Sequence, residues 1–433
     1  MRYLLLLPIF AAPLQDAPPL TERWVAAFYR AAWDAETGEG LTHPSGGDAL
    51  QDHPESFKDF SYRRASWHRR NLEEMGEAGL DVALCEFADN GEAVKALVQA
   101  LEESSKEFRR VPRVAPAVRD PAAAAAFLKA VPKSYRAAVG GRDLVWLFPS
   151  KAPDLRALGA LDVFKVGDAA WKPDLEAVTG GAFDGPRDLK AVTLGPGFKD
   201  GSSRIRGRDE GTWYDRSWYA AMRIKPRLVA IESWNRFDEG STICPTKEFE
   251  KGLLAKTKKY AELFRRGDEI ERPKGKYTSA IGVSYHLKFE PPHEGLRPVD
   301  SPAAPFEVVS LAGQALLRAK EVPGQATRIL AFAIDDSYAY YERRDYEVQL
   351  QILDKGPGQV SLEYDAAAPG KGETDRTRRA AEPFYFTDSG QWAVATFKLP
   401  EAAFANRQEG GADFRLVTKN RGMAIRWVQV RAK

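Results

Sequence analysis

The sequence predicts an α/β protein: a parallel sheet wrapped by helices, long enough to be a (β/α)8 TIM barrel, followed by an all-β, jelly-roll-like sandwich. Three observations predict it. Short β-rich apolar runs alternate with helical patterns over the first two thirds of the chain. A proline-rich stretch, FEPPHEGLRPVDSPAAPF (Phe289–Phe306), then interrupts the pattern. Beyond it, strands and turn residues follow one another with almost no helix signal.

Each element can be justified in order. RWVAAFYRA (Arg23–Ala31), DVALCEF (Asp81–Phe87), VPRVAPAV (Val111–Val118), DLVWLFP (Asp143–Pro149), DVFKVGD (Asp162–Asp168), AVTLGP (Ala191–Pro196) and LVAIESW (Leu228–Trp234) are near-continuous apolar runs, as strands buried on both faces must be. Helical patterns lie between them: SWHRRNLEEMGEAG, NGEAVKALVQALEESSKEF, YDRSWYAAMRIKP and KEFEKGLLAKTKKYAELFRRG. A closed barrel needs an eighth strand, and GAFDGP (Gly181–Pro186), weakened by its glycines, is the candidate. After the prolines, ATRILAFAIDD, YEVQLQILD, GQVSLEYD, QWAVATFKLP, ADFRLVT and IRWVQVRA alternate apolar with polar, the pattern of sheets with one wet face. The expected domains are a signal peptide (1–17), the barrel (18–290), a linker (291–305) and the sandwich (306–433).

Composition excludes some functions. With 63 basic and 61 acidic residues, net +2, the chain has no concentrated basic face for nucleic acid. Two cysteines, Cys85 and Cys244, make no disulfide framework and read as buried free thiols. The N-terminus, MRYLLLLPIFAAPLQDAPPL, has the layout of a secretory signal peptide and is too short to span a membrane, so a secreted or periplasmic monomer is expected.

The chemistry is expected just past Leu228–Ile231, where the apolar run passes into Glu232, Trp234, Asn235, Arg236, Asp238, Glu239 and Gly240. Polar groups beyond the end of a buried parallel strand are where α/β folds place sites. Glu239, Asp238 and Glu232 are the candidate catalytic carboxylates. Asn235, Arg236, Trp234, Tyr29, Trp33 and His43 are candidates for holding substrate, and Asp34 and Glu86 are weaker carboxylates at strand ends. Trp171 and Trp213 are further aromatic candidates, and Asp335–Asp336, Tyr364–Asp365, Asp413 and Arg415 are polar rim residues of the sandwich. The sequence contains no metal-ligand spacing, no G-x-S-x-G elbow and no phosphate loop, so no cofactor is implied.

SWNRFDEGS (Ser233–Ser241) is similar to the SWNEWHEGS segment of glycoside hydrolase family 99-like barrels, and the chain resembles bacterial proteins grouped as domain of unknown function 5010. WDAETGEGLTHP (Trp33–Pro44), SWHRRNLEEMGEAGLDV (Ser66–Val82), PGF (Pro196–Phe198), YDRSWYAAM and WAVATFKLPEAAFANRQEGGADFRL carry the same resemblance in order. It implies a sugar-binding barrel followed by a carbohydrate-binding-like sandwich, with a polysaccharide or glycan as partner. In such enzymes the first glutamate of NEWHE assists a sugar hydroxyl and the second is general acid and base. Here Glu239 takes the second position, Asp238 the histidine's, and Arg236 the first glutamate's. An arginine cannot act as a base, because its guanidinium stays protonated. Asp238 and Glu232 are therefore the carboxylates left to partner Glu239, while the Arg236 fork would suit an acidic substrate. The alternative is a catalytically inactive carbohydrate-binding protein built on a glycosidase barrel.

Overall fold

The computed structural model describes residues 23–87, 89–148, 163–166, 183–185, 189–199, 205–206, 208, 211–272, 274–289, 292–311, 313–366, 378–406, 408–419 and 421–433. The signal-peptide segment and Trp171 lie outside them. Two compact units are present, one reaching Ile270 and one running from Glu271 to Lys433.

In the first unit the elements are β1 (Trp24–Tyr29), α1 (Ala65–Glu77), β2 (Val82–Cys85), α2 (Gly91–Glu107), β3 (Arg113–Val118), α3 (Pro121–Ala130), β4 (Ala138–Val139), β5 (Arg142–Leu147), β6 (Val163–Val166), β7 (Phe183–Gly185), β8 (Leu189–Leu194), β9 (Phe198–Lys199), β10 (Ile205–Arg206), α4 (Thr212–Ile224), β11 (Leu228–Ile231) and α5 (Gly252–Arg266). Among the described residues seven strands run parallel, in the order β6-β5-β3-β2-β1-β11-β8. Every residue of β1, β2 and β11 is buried, as both-face burial requires. The ring of Phe28 on β1 meets that of Trp146 on β5 at 5.2 Å although β2 and β3 lie between their strands. The sheet therefore coils until its inner face packs on itself, with Trp24, Leu84, Leu144 and Leu228 in the same cluster.

GAFDGP differs from expectation. Its central residues form β7, which pairs antiparallel with β8 and so is not an eighth parallel strand; none is present among the described residues. The helices carry their own stop and start signals. The Asn90 side chain accepts from the N–H groups of Glu92 and Ala93 to begin α2, and Asp120 does the same for Ala122 ahead of Pro121 in α3. Gly267, at φ 78°, closes α5 in the left-handed region that a Cβ disfavours.

The second unit is two antiparallel sheets. Its core takes alternate residues from both, including Val348, Leu350, Leu362, Phe397, Leu416 and Val428. Its start corrects the expected boundary at 290/306. Gly282–His286 pairs with residues 427–431 of Ala424–Ala432, and Leu296–Val299 pairs with residues 331–334 of Thr327–Ile334. Both strands belong to the sandwich, although the prolines suggested a linker. Pro298 is tolerated because Leu296–Val299 is an edge strand with one unpaired side.

Candidate functional site

The ends of β1, β2 and β11 place four polar residues at the C-terminal edge of the parallel sheet: Arg30, Glu86, Glu232 and Arg236. Glu86 follows β2 with its N–H bonded to the Tyr29 carbonyl, and Glu232 follows β11 with its N–H bonded to the Leu194 carbonyl. Glu232 is joined to Ser233 by a cis peptide. Gly195 leaves room for this turn, since a Cβ there would lie 2.3 Å from the Glu232 carbonyl oxygen. The chain then turns through Trp234 and Asn235 into a single 3-10 turn, Phe237–Glu239, closed by Gly240 at φ 58°.

Arg236 organises the carboxylates. Its Nη2 lies 2.6 and 2.8 Å from the two oxygens of Glu86, and its Nη1 lies 3.3 Å from Glu239 Oε2. Burial alone would lower the guanidinium pKa; Glu86 and Glu239 outweigh it and hold the arginine above its ordinary value. Glu232 is different. Burial pushes its carboxyl up to about 8, with Arg236 pulling down and the Glu86 and Glu239 charges adding to the rise. Its Oε1 and the Arg236 Nε are sealed from solvent without hydrogen-bond partners. The cluster therefore sets a carboxyl whose proton is favoured beside an arginine that binds Glu86 and Glu239.

The turn bearing Glu239 is pinned from behind. The N–H groups of Gln51 and Asp52 both donate to the Phe237 carbonyl. Asp52 is held by Arg208, whose guanidinium also donates to the carbonyls of Gly240 (2.7 Å) and Thr242 (2.8 Å). The Thr242 hydroxyl completes the set by donating to Asp52 Oδ2.

The other expected residues divide. Asp238 faces away from Arg236 in its bonding, paired with Arg30 Nη1 at 3.0 Å. Asn235 is fully buried and bonds the backbone of Arg30 in both directions, accepting from its N–H (2.9 Å) and donating to its carbonyl (2.8 Å). It fastens β1 to the β11 turn and presents nothing to a substrate. Tyr29, Trp33 and Trp234 likewise sit in the core with no open ring face, at 0, 2 and 0 % exposure. Tyr29 bonds His68 Nδ1 at 2.8 Å and Trp234 Nε1 donates to Asn71 at 2.7 Å, so large aromatics that read as sugar platforms are packing instead. Arg236 is not the free fork an acidic substrate would need, since both terminal nitrogens already hold carboxylates. His43 lies on an exposed turn bonded to Gly47, with no contact to the glutamate cluster among the described residues. Asp34 is buried against Arg63 and the Glu36 N–H, and Trp213 is core. In the sandwich, Asp413 accepts from Ile334 and Asn406, and Arg415 pairs with Glu363.

Glu86 is the member that sequence reasoning undervalued. Its signal was its place directly after the apolar run VALC, the same position relative to β2 that Glu232 holds relative to β11. Asp52 and Arg208 had no such signal, being brought together only by long-range folding.

No family model matches the chain. A glycoprotein endo-alpha-1,2-mannosidase-like protein of Mus musculus is 32% identical over 90 residues, 18% of this chain and 20% of that protein, so the chain spans about a fifth of the length of that curated relative. Among solved structures, the GH99 endo-alpha-mannosidase of Bacteroides thetaiotaomicron is 16% identical, covering 56% of this chain and 98% of its own, with a TM-score of 0.43. A CBM22-1 xylan-binding domain from Paenibacillus barcinonensis is 12% identical over 35% of this chain and 94% of its own, with a TM-score of 0.21. The chain is similar to GH99 endo-alpha-mannosidases and to carbohydrate-binding modules.

Proposed function

We propose that this protein is a secreted or periplasmic glycoside hydrolase-like protein that binds a glycan at the C-terminal edge of its parallel sheet and cleaves it. The observation that carries the reading is the three-glutamate cluster at the strand ends, in which Arg236 binds Glu86 and Glu239 while Glu232 Oε1 is sealed from solvent without a partner. Glycoside cleavage needs one carboxyl that protonates the leaving oxygen and one carboxylate that acts on the sugar or on a water. Glu232 has the environment of the acid: it is half-buried with Oε1 sealed from solvent, and that setting pushes its carboxyl up to about 8. Glu239, the acid and base that the family resemblance implies, takes the carboxylate role, steadied by Arg236 and the pinned turn. Asp238, tied to Arg30, positions the same turn rather than reacting.

The test is reducing-end release from a panel of neutral and acidic polysaccharides. Glu232→Gln and Glu239→Gln should each lower the rate by about a hundredfold or more. Absence of product on every substrate would sink the catalytic reading. Arg236, standing where the family-like motif has its first glutamate, favours the alternative, an inactive glycan-binding protein. Glycan binding without turnover, weakened by Arg236→Ala, would establish it. N-terminal sequencing of the mature protein tests export, since cleavage near residue 17 is expected.

A further inference from the structure

The sandwich carries a second surface that the glutamate site does not use. Strands Trp392–Ala402, Arg344–Leu353, Ala424–Ala432 and Gly282–His286 lie side by side in that order. Alternation sends Val348, Leu350 and Ile352 into the core, so Gln349 and Gln351 take the opposite face. The register then aligns Val394, Gln351 and Trp427 in one row across three strands, and Thr396, Gln349 and Gln429 in the next. Trp392 stands one alternation beyond Val394, opposite Leu353, with the Arg426 guanidinium 3.8 Å above its ring.

Three properties of this face are unusual together. Trp427 is only partly buried, and neither its indole nor the amides of Gln351 and Gln429 have a side-chain partner among the described residues. Both rows are uncharged, while the third row holds Lys398, Glu347 and Arg431. Neighbouring strands lie about 4.8 Å apart, so the two rows span a surface as wide as an oligosaccharide. An indole packs against the C–H face of a pyranose, and each amide both donates to and accepts from hydroxyls. Charge stands at its margins, in Arg426 over Trp392 and in the row of Lys398, Glu347 and Arg431, and its centre offers an indole and amides.

We propose that this face, centred on Trp427, Gln351 and Gln429, is a binding platform for a neutral polysaccharide. It works independently of the glutamate site and goes beyond the function proposed above, requiring no catalysis.

The experiment is affinity electrophoresis of the full chain through gels containing mannan, xylan or a mixed-linkage β-glucan. The proposal expects retardation by at least one of them. Trp427→Ala should weaken it by about tenfold or more, as loss of a central aromatic contact does. Glu239→Gln should leave it unchanged, which separates this platform from the site in the first unit. Thermal melting checks each variant. If Trp427→Ala unfolds, the pair Gln351→Ala and Gln429→Ala, which removes only solvent-facing amides, decides the matter by the same loss of retardation. No retardation in any gel, retardation indifferent to these variants, or retardation lost with Glu239→Gln alone overturns the proposal.

Discussion

Arg236 holds both oxygens of Glu86 through a single guanidinium nitrogen, at 2.6 and 2.8 Å, with side-chain exposures of 28 and 11 %. The arginine that displaces an expected base is thus bound to a carboxylate 150 residues earlier in the chain. The pairing converts an uncompensated cation at a strand end into the centre of a three-glutamate cluster, and it ties the end of β2 to the end of β11 across β1.

Removing one partner should therefore cost more than removing both. Glu86→Ala leaves Arg236 partly buried and short of a carboxylate, for an expected loss of about 2–3 kcal/mol, below the ~3–5 of fully buried pairs. Glu86→Ala with Arg236→Met should recover part of that loss. Urea unfolding of the two variants beside the parent measures it; a double variant less stable than the single one contradicts the pairing.

Glu232 gives the protein a stability that falls with pH. Its carboxyl titrates at about 8 when folded and near its ordinary value of 4.5 when unfolded. Between those values the folded chain holds a proton that the unfolded chain has released. The group's contribution is constant below about pH 4.5, falls by up to about 1.4 kcal/mol per pH unit through the window, and levels off above about pH 8. Glu232→Gln, which cannot ionise, should lack this slope. Denaturant titrations of both proteins from pH 5 to 9 give the difference, and parallel profiles would refute the shift.

Asn235 acts through backbone. Its amide satisfies the Arg30 N–H and carbonyl at once, in the manner of a neighbouring strand. Asn235→Ala buries two unpaired groups at the end of β1, for an expected loss of about 2–4 kcal/mol. Thermal unfolding reads this directly, whereas a substrate-binding role would instead leave the melt in place and shift KM.

The parallel strands and four of the five helices among the described residues were legible because each is a local pattern: an apolar run such as VALC, or a helical stripe behind an Asn90 cap. α3 escaped notice because PAAAAAFLKA is apolar almost throughout and has no polar face to set a period. The site was legible only as far as one strand end. Glu232 and Glu239 belong to the same loop as the family-like motif, but what each does is set by Glu86, and the turn by Asp52 and Arg208, from distant segments. Tyr29 and Trp234 misled for a related reason. An aromatic at a strand end faces either the cleft or the helices behind it, and alternation alone does not fix which layer a final residue enters.

His53 offers a test of the clamp behind the Glu239 turn. Its ring bridges Asp48 (Nε2, 2.7 Å) and Glu248 (Nδ1, 2.6 Å), and its backbone carbonyl accepts from Lys247, so it joins the segment that pins Phe237 to the chain beyond the turn. Hydrogen bonds donated to the carboxylates of Asp48 and Glu248 raise the histidine above 6.5. That stabilisation is complete below about pH 6.5 and is lost as pH rises through the folded value. Asp48 is lowered from 3.8, chiefly by the His53 hydrogen bond, and Glu248 from 4.5, where bonds from His53 outweigh burial. Their contributions are present above those values and lost as pH falls through the folded ones. The bridge is therefore strongest between about pH 4.5 and 6.5. With His53 30 % exposed, it is worth at most about 1 kcal/mol. His53→Gln should cost that amount at about pH 5.5 and much less at about pH 9, measured by chemical denaturation at both. An equal cost at both pH values would mean that shape, not charge, holds the clamp.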